Sequence, residues 1–95
     1  MNDTKTDRKQ IAEDWSRRGF SCDLWTDPPG QCWEDFRHST DELVAVIEGK
    51  VEFEIDGEVQ HSQAGDELLI PAAALHSVRN IGETTARWLY GYKRS

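Results

Sequence analysis

Residues 42–57 read Glu-Leu-Val-Ala-Val-Ile-Glu-Gly-Lys-Val-Glu-Phe-Glu-Ile-Asp-Gly. Val51, Phe53 and Ile55 alternate with Glu52 and Glu54, the period of a strand with one wet face. Leu43 to Ile47 is apolar at both parities, so this second strand has something to bury on each side. Glu48-Gly49 and Asp56-Gly57 divide the runs, and Asp-Gly is a strong hairpin signal. Toward the C-terminus, Ala64-Gly65 marks a further break, and strand-like runs fall at 59–62, 67–71, 76–79 and 86–92. Toward the N-terminus lie a run at 31–38 and a strand from Gly19 to Trp25. Thr26-Asp27-Pro28-Pro29-Gly30 separates them as a turn, because two prolines do not fit a sheet centre. Regularly spaced short strands in one small chain imply a sandwich or barrel. Residues 9–18 allow a short helix with Ile11, Ala12 and Trp15 on one face, and residues 1–8 read as frayed. The expected organisation is a polar, short helical segment at 1–18 and a single all-β domain at 19–95.

The chain has 95 residues, enough for one domain. A domain of this size buries a modest fraction of its surface and often leans on a partner subunit or a metal. The net charge of -7 repels phosphate backbones and anionic membranes, so neither nucleic acid nor a membrane is an expected partner. No apolar run is long enough to span a bilayer, and the first residues lack the apolar core of a signal peptide. Two cysteines, Cys22 and Cys32, are too few for a disulfide scaffold. These features predict a cytoplasmic protein with reduced thiols.

His38-Ser39-Thr40-Asp41-Glu42 is the stretch that carries chemistry. In one straight strand its ends lie ~13 Å apart, too far to share an ion. If residues 39–41 form a three-residue hairpin loop, His38 and Glu42 become directly opposed, with Cβ atoms ~5 Å apart. That register also sets Phe36 against Val44, Arg37 near Leu43, Asp35 near Ala45 and Trp33 near Ile47. An imidazole facing a carboxylate inside a barrel is either a hydrogen-bonded pair or two ligands awaiting a third, and His76 is the histidine placed to be that third. Two histidines and a carboxylate suit zinc, iron(II), manganese or nickel, with open positions for water or substrate.

The spacing from Gly30 resembles the paired motifs of the cupin superfamily. The first motif runs glycine, five residues, His-X-His, three or four residues, glutamate, six residues, glycine; here it is Gly30, QCWED, Phe36-Arg37-His38, STD, Glu42, LVAVIE, Gly49. The second runs glycine, five residues, Pro-X-Gly, two residues, histidine, three residues, asparagine; here it is Gly65, DELLI, Pro71-Ala72-Ala73, AL, His76, SVR, Asn80. The resemblance covers residues 30–80. It implies a small cupin-type barrel, a double-stranded β-helix or jelly roll, with a divalent metal held by His38, Glu42 and His76. Two positions depart from the pattern. Phe36 replaces the first motif histidine, walling off one ligand position, and Ala73 replaces the glycine of Pro-X-Gly. The resemblance also implies a cavity lined by Phe36, Val44, Val46, Phe53, Trp88 and Tyr90, and a dimer that packs sheet against sheet.

Other residues are read more plainly. Cys32 and Glu34 share strand parity with Phe36 and His38 and so point inward; the thiol reads as a small buried hydrophobe, and the carboxylate as a solvated rim. Cys22 lies across from Cys32 if the proline turn closes a hairpin. His61, among polar neighbours, reads as surface. Leu43, Ala45 and Ile47 form an outer apolar face with Trp33. The N-terminal segment with Trp15 and Trp25 covers that face, or a second copy does. Trp88, Tyr90 and Tyr92 share one face of the last strand. Two functions fit: a metal-dependent small-molecule enzyme of oxygenase or isomerase type, and a non-catalytic small-ligand-binding or sensor module. A DNA-bound regulator is disfavoured by the acidic charge.

Overall fold

The computed structural model describes residues 8–94. Of the stretch expected to be frayed, residues 1–7 lie outside this range, and Arg8 opens a helix, α1, at Arg8–Arg17. Eight strands follow: β1 Asp23–Asp27, β2 Cys32–Phe36, β3 Glu42–Glu48, β4 Lys50–Ile55, β5 Glu58–Gln63, β6 Glu67–Ile70, β7 His76–Asn80 and β8 Ala86–Tyr92. They form two four-stranded antiparallel sheets, ordered β1-β8-β3-β6 and β2-β7-β4-β5. The all-β class with one short N-terminal helix is the observed architecture. The first strand starts later than expected and ends on Asp27, inside the supposed turn.

The two parities of β3 explain the layering. Val44 and Val46 face inward and pack with Val51, Phe53, Ile70, Val78 and Trp88 between the sheets. Leu43 and Ala45 face outward and are buried with Leu89 beneath Trp15 and Phe20. Trp15 is 0% exposed, and its indole N–H donates to Glu67 Oε1 at 2.8 Å. The helix turns back at its end, where the Phe20 amide donates to the Trp15 carbonyl (2.8 Å). The outer apolar face is thus largely covered by the chain's own N-terminal segment. Trp25 and Trp33 take no part in this cover: both face the space between the sheets.

The hairpin register proposed for 31–48 is not the observed one. β2 pairs with β7, Trp33 opposite Val78 and Phe36 opposite His76. β3 instead pairs with β6 and β8 in the other sheet. Residues 37–41 are therefore a crossing between sheets rather than a hairpin loop. The parity argument for Cys32 and Glu34 fails as well. A bulge between Trp33 and Phe36, with Asp35 at φ 58°, inserts one residue and reverses the alternation. Cys32 and Glu34 consequently face solvent, and Glu34 pairs with Arg79 at 2.8 Å. Cys22 and Cys32 do not meet and are free thiols. At the β4–β5 hairpin, Asp56 and Gly57 adopt φ of 50° and 85°, the primed turn that the Asp-Gly pair foretold.

Candidate metal centre

Two strand ends and one crossing segment bring the ligand candidates together. Glu42 opens β3 on its inward parity and is 4% exposed. His76 opens β7 in the opposite sheet and is 5% exposed. His38 comes from the crossing segment, fixed where the Ala73 amide donates to the His38 carbonyl (2.7 Å) and the Arg37 guanidinium donates to the Ala73 carbonyl (2.9 Å). Asp41 holds the other end by accepting from the Ala72 amide at 2.8 Å. Glu42 Oε1 lies 3.6 Å from His38 Nε2 and 3.6 Å from His76 Nε2. One ligand atom from each of the three residues falls within 4.8 Å of the others.

The donor set fits a divalent ion. Glu42 Oε1 is buried and, among the described residues, has no hydrogen-bond partner. Such an orphaned oxygen is costly unless a cation or donor completes it. His76 Nδ1 sits 3.2 Å from the Ala74 carbonyl, which favours the proton on Nδ1 and leaves the Nε2 lone pair aimed at Glu42. An ion ~2.1 Å from each ligand needs the ligand atoms about 3.0–3.4 Å apart, so a separation of 4.8 Å must close by about 1.4–1.8 Å. His38, a third exposed at its side chain, has the freedom to do so. Phe36 occupies the remaining side, its ring centroid 6.5 Å from His38 and 6.3 Å from His76.

Burial pushes the Glu42 carboxyl up to about 7. Burial, and then the neighbouring His76, pull His38 below the ordinary histidine range. Tyr92 is pushed up to about 12, first by burial and then by the nearby Glu42 and Tyr90. Its hydroxyl lies 3.4 Å from His38 Nε2 and stays protonated at neutral pH.

The centre forms the polar end of a pocket of about 260 Å³. Phe36, Trp88 and Tyr90 line it as expected residues, while Trp25, Trp33 and Tyr92 join them. Val44, Val46 and Phe53, expected to line the cavity, are instead 1% exposed in the core, because side chains fill the barrel at their level. Sequence reasoning missed Asp27. This carboxylate is 2% exposed and accepts the indole N–H of Trp25 (2.8 Å), Trp33 (3.0 Å) and Trp88 (3.1 Å). Its place in a Thr-Asp-Pro-Pro-Gly string read as turn chemistry, and no local pattern links it to Trp88, 61 residues away. Asn80 was noted only as a motif position. Its side-chain amide donates to the carbonyls of Asp27, Pro28 and Thr84 and so ties the β1–β2 loop to β7.

Two antiparallel sheets enclosing a His-Glu-His cluster at one open end define a small β-barrel with a candidate metal site. The cupin domain family matches residues 23–92, and the chain belongs to that family. It is 35% identical over 63 residues to the polyketide synthase CurC of Streptomyces cyaneus, an alignment covering 65% of this chain and 41% of that protein. The chain therefore spans less than half of that relative. Among solved structures, it is similar to the cupin domain of Cnp3 from Schizosaccharomyces pombe (TM-score 0.75, 17% identity, 81% of this chain and 57% of that one). It also resembles an oxalate oxidase in complex with the substrate analogue glycolate (TM-score 0.72, 22% identity, 80% and 42%). At these identities both likenesses concern the fold.

Proposed function

We propose that this cupin domain holds one divalent cation (zinc, iron, manganese or nickel) through His38, Glu42 and His76, and binds or acts on a small molecule in the adjoining pocket. The observation that carries this reading is the buried, unpartnered Glu42 Oε1, equidistant at 3.6 Å from two imidazole nitrogens. An ion held there would supply positive charge to polarise a ligand oxygen and leave coordination positions open for it. The protein's own groups do the rest. His76 is held in one tautomer by Ala74, Tyr92 offers a protonated hydroxyl beside His38, and aromatic rings wall the adjoining pocket. Turnover in this reading is of oxygenase or isomerase type. The alignment with a polyketide synthase supports a small-molecule role.

A second reading, a metal-free ligand-binding or sensor cupin, is favoured by two observations. Phe36 stands where a ligand histidine would be, and burial raises Glu42 enough to keep it neutral below pH 7. Elemental analysis of protein purified without added metal separates the two. The metal reading expects close to one ion per chain, its loss in Glu42→Ala with the strand circular dichroism retained, and a lower melting temperature on chelation. Substoichiometric metal together with a melting temperature indifferent to chelator would refute it.

The free thiols of Cys22 and Cys32 support a cytoplasmic location. We keep a homodimer as part of the proposal, although Leu43 and Ala45 are covered within the chain and Trp33 is not on that face. Light scattering near twice 10.9 kDa supports it, and a mass near 10.9 kDa at micromolar concentration overturns it.

A further inference from the structure

The rings around the pocket form a closed hoop. Trp25 contacts Trp33 at a centroid distance of 5.6 Å, Trp33 contacts Phe36 at 6.3 Å, and Phe36 stacks on His38 at 6.5 Å. His38 meets Tyr92 at 5.0 Å, Tyr92 meets Tyr90 at 6.0 Å, and Tyr90 returns to Trp25 at 6.1 Å. Trp88 backs the hoop against Tyr90 at 6.0 Å. Buried indoles ordinarily seek an acceptor for their N–H. Here Trp25, Trp33 and Trp88 all give theirs to the single carboxylate of Asp27. The tryptophan walls are left with ring carbon and π surface and no donor to offer a ligand. Apart from the Tyr90 hydroxyl on the hoop itself, polar contact gathers at one end, where Glu42, His38, His76 and the Tyr92 hydroxyl meet.

We infer that the pocket takes a planar aromatic molecule of two or three fused rings that carries a hydroxyl or enolic oxygen at one edge. The oxygen lies at the His38–Glu42–His76 end and the rings lie within the hoop. Sugars and other polyols are disfavoured because, beyond the single Tyr90 hydroxyl, the walls offer them nothing to hydrogen-bond away from the polar end. A quaternary ammonium, which aromatic walls can also attract, is disfavoured. The Asp27 charge is already taken by three indoles, and an ion at the polar end would repel a second cation. The volume of about 260 Å³ is slightly below the roughly 300–1,000 Å³ of pockets for drug-sized ligands and limits the ring count. The inference deepens the proposed function and rests on it only for the oxygen end; the hoop exists without metal.

Isothermal titration calorimetry on the full chain, loaded with zinc and separately treated with chelator, tests it with three probes: 2-naphthol, its saturated counterpart trans-2-decalol, and tetraethylammonium. The expected result is 2-naphthol binding at least about tenfold more tightly than trans-2-decalol in both preparations, since ring–ring contacts add to burial. Trp25→Leu, at a ring that is 39% exposed and tolerant of truncation, should weaken 2-naphthol about tenfold while leaving zinc affinity unchanged. Equal affinity for trans-2-decalol, tighter binding of tetraethylammonium, or an unaffected Trp25→Leu variant would each overturn the inference without touching the metal reading. Loss of zinc binding with the aromatic preference intact would overturn the metal reading and leave the inference standing.

Discussion

Replacing Glu42 with glutamine should remove a specific pH dependence from the stability of the metal-free protein. The Glu42 carboxyl ionises near 4.5 when exposed and is pushed up to about 7 by burial in the fold. The folded state therefore binds this proton more tightly than the unfolded state does. Between about pH 4.5 and 7 the unfolded carboxyl ionises while the folded one stays neutral, so stability falls as pH rises and levels off above 7. The full difference corresponds to about 3 kcal/mol, most of which is lost between pH 5 and pH 8. For a chain of this size that is roughly 10–20 °C in melting temperature. Glutamine does not titrate, and every other group is common to both proteins. The assay is thermal unfolding of wild type and Glu42→Gln in chelator across pH 5–8. The difference between the two curves should move in favour of the variant by roughly 2–3 kcal/mol as pH rises. Added zinc should restore the wild type at pH 8 and not the variant. A pH-independent difference would mean that Glu42 is not a desolvated, unpartnered carboxylate, and the argument for a cation at this position would lose its basis.

Three further outcomes follow from the packing. Ala73 has φ 67°, a left-handed backbone unfavourable for a residue with a Cβ, so Ala73→Gly should stabilise by about 1 kcal/mol, read as a higher urea midpoint at unchanged slope. Asp27→Asn leaves one acceptor where three indoles converge and turns an amide N–H₂ toward donors; it should cost about 3 kcal/mol and shift the tryptophan indole N–H resonances together, and an unperturbed spectrum would refute the shared acceptor. At Gly91 an added Cβ would run into the Ser21 carbonyl and the Trp15 ring, so Gly91→Ala should destabilise by more than about 3 kcal/mol, whereas Gly82→Ala, whose nearest neighbour is Asn80 Oδ1 at 3.5 Å, should change little; equal effects in a denaturant titration would contradict the close approach of β8 to the 19–22 segment.

Much of this protein was legible along the chain because it rests on local rules. Side-chain alternation is set by the pleat, so Val51-Glu52-Phe53-Glu54-Ile55 announced a half-wet strand, and Asp56-Gly57 announced its turn. The double parity of Leu43 to Ile47 announced a strand covered on both sides. The motif spacings placed His38, Glu42 and His76 as a candidate ligand set, and the structure brings them together. What failed was inference across more than one element. Parity could not be carried from Phe36 back to Cys32, because one left-handed residue at Asp35 bulges the strand and reverses every side chain before it. The closeness of His38 and Glu42 was expected for the wrong reason: it comes from a crossing between sheets, since β2 finds its partner in β7 rather than in β3. The Asp27 carboxylate could not be foreseen, because its three indole donors come from β1, β2 and β8 and meet only once both sheets have closed. A sequence determines which face a strand buries, whereas which strands share that face is decided by pairing between distant segments, and here that pairing built the aromatic hoop around the site.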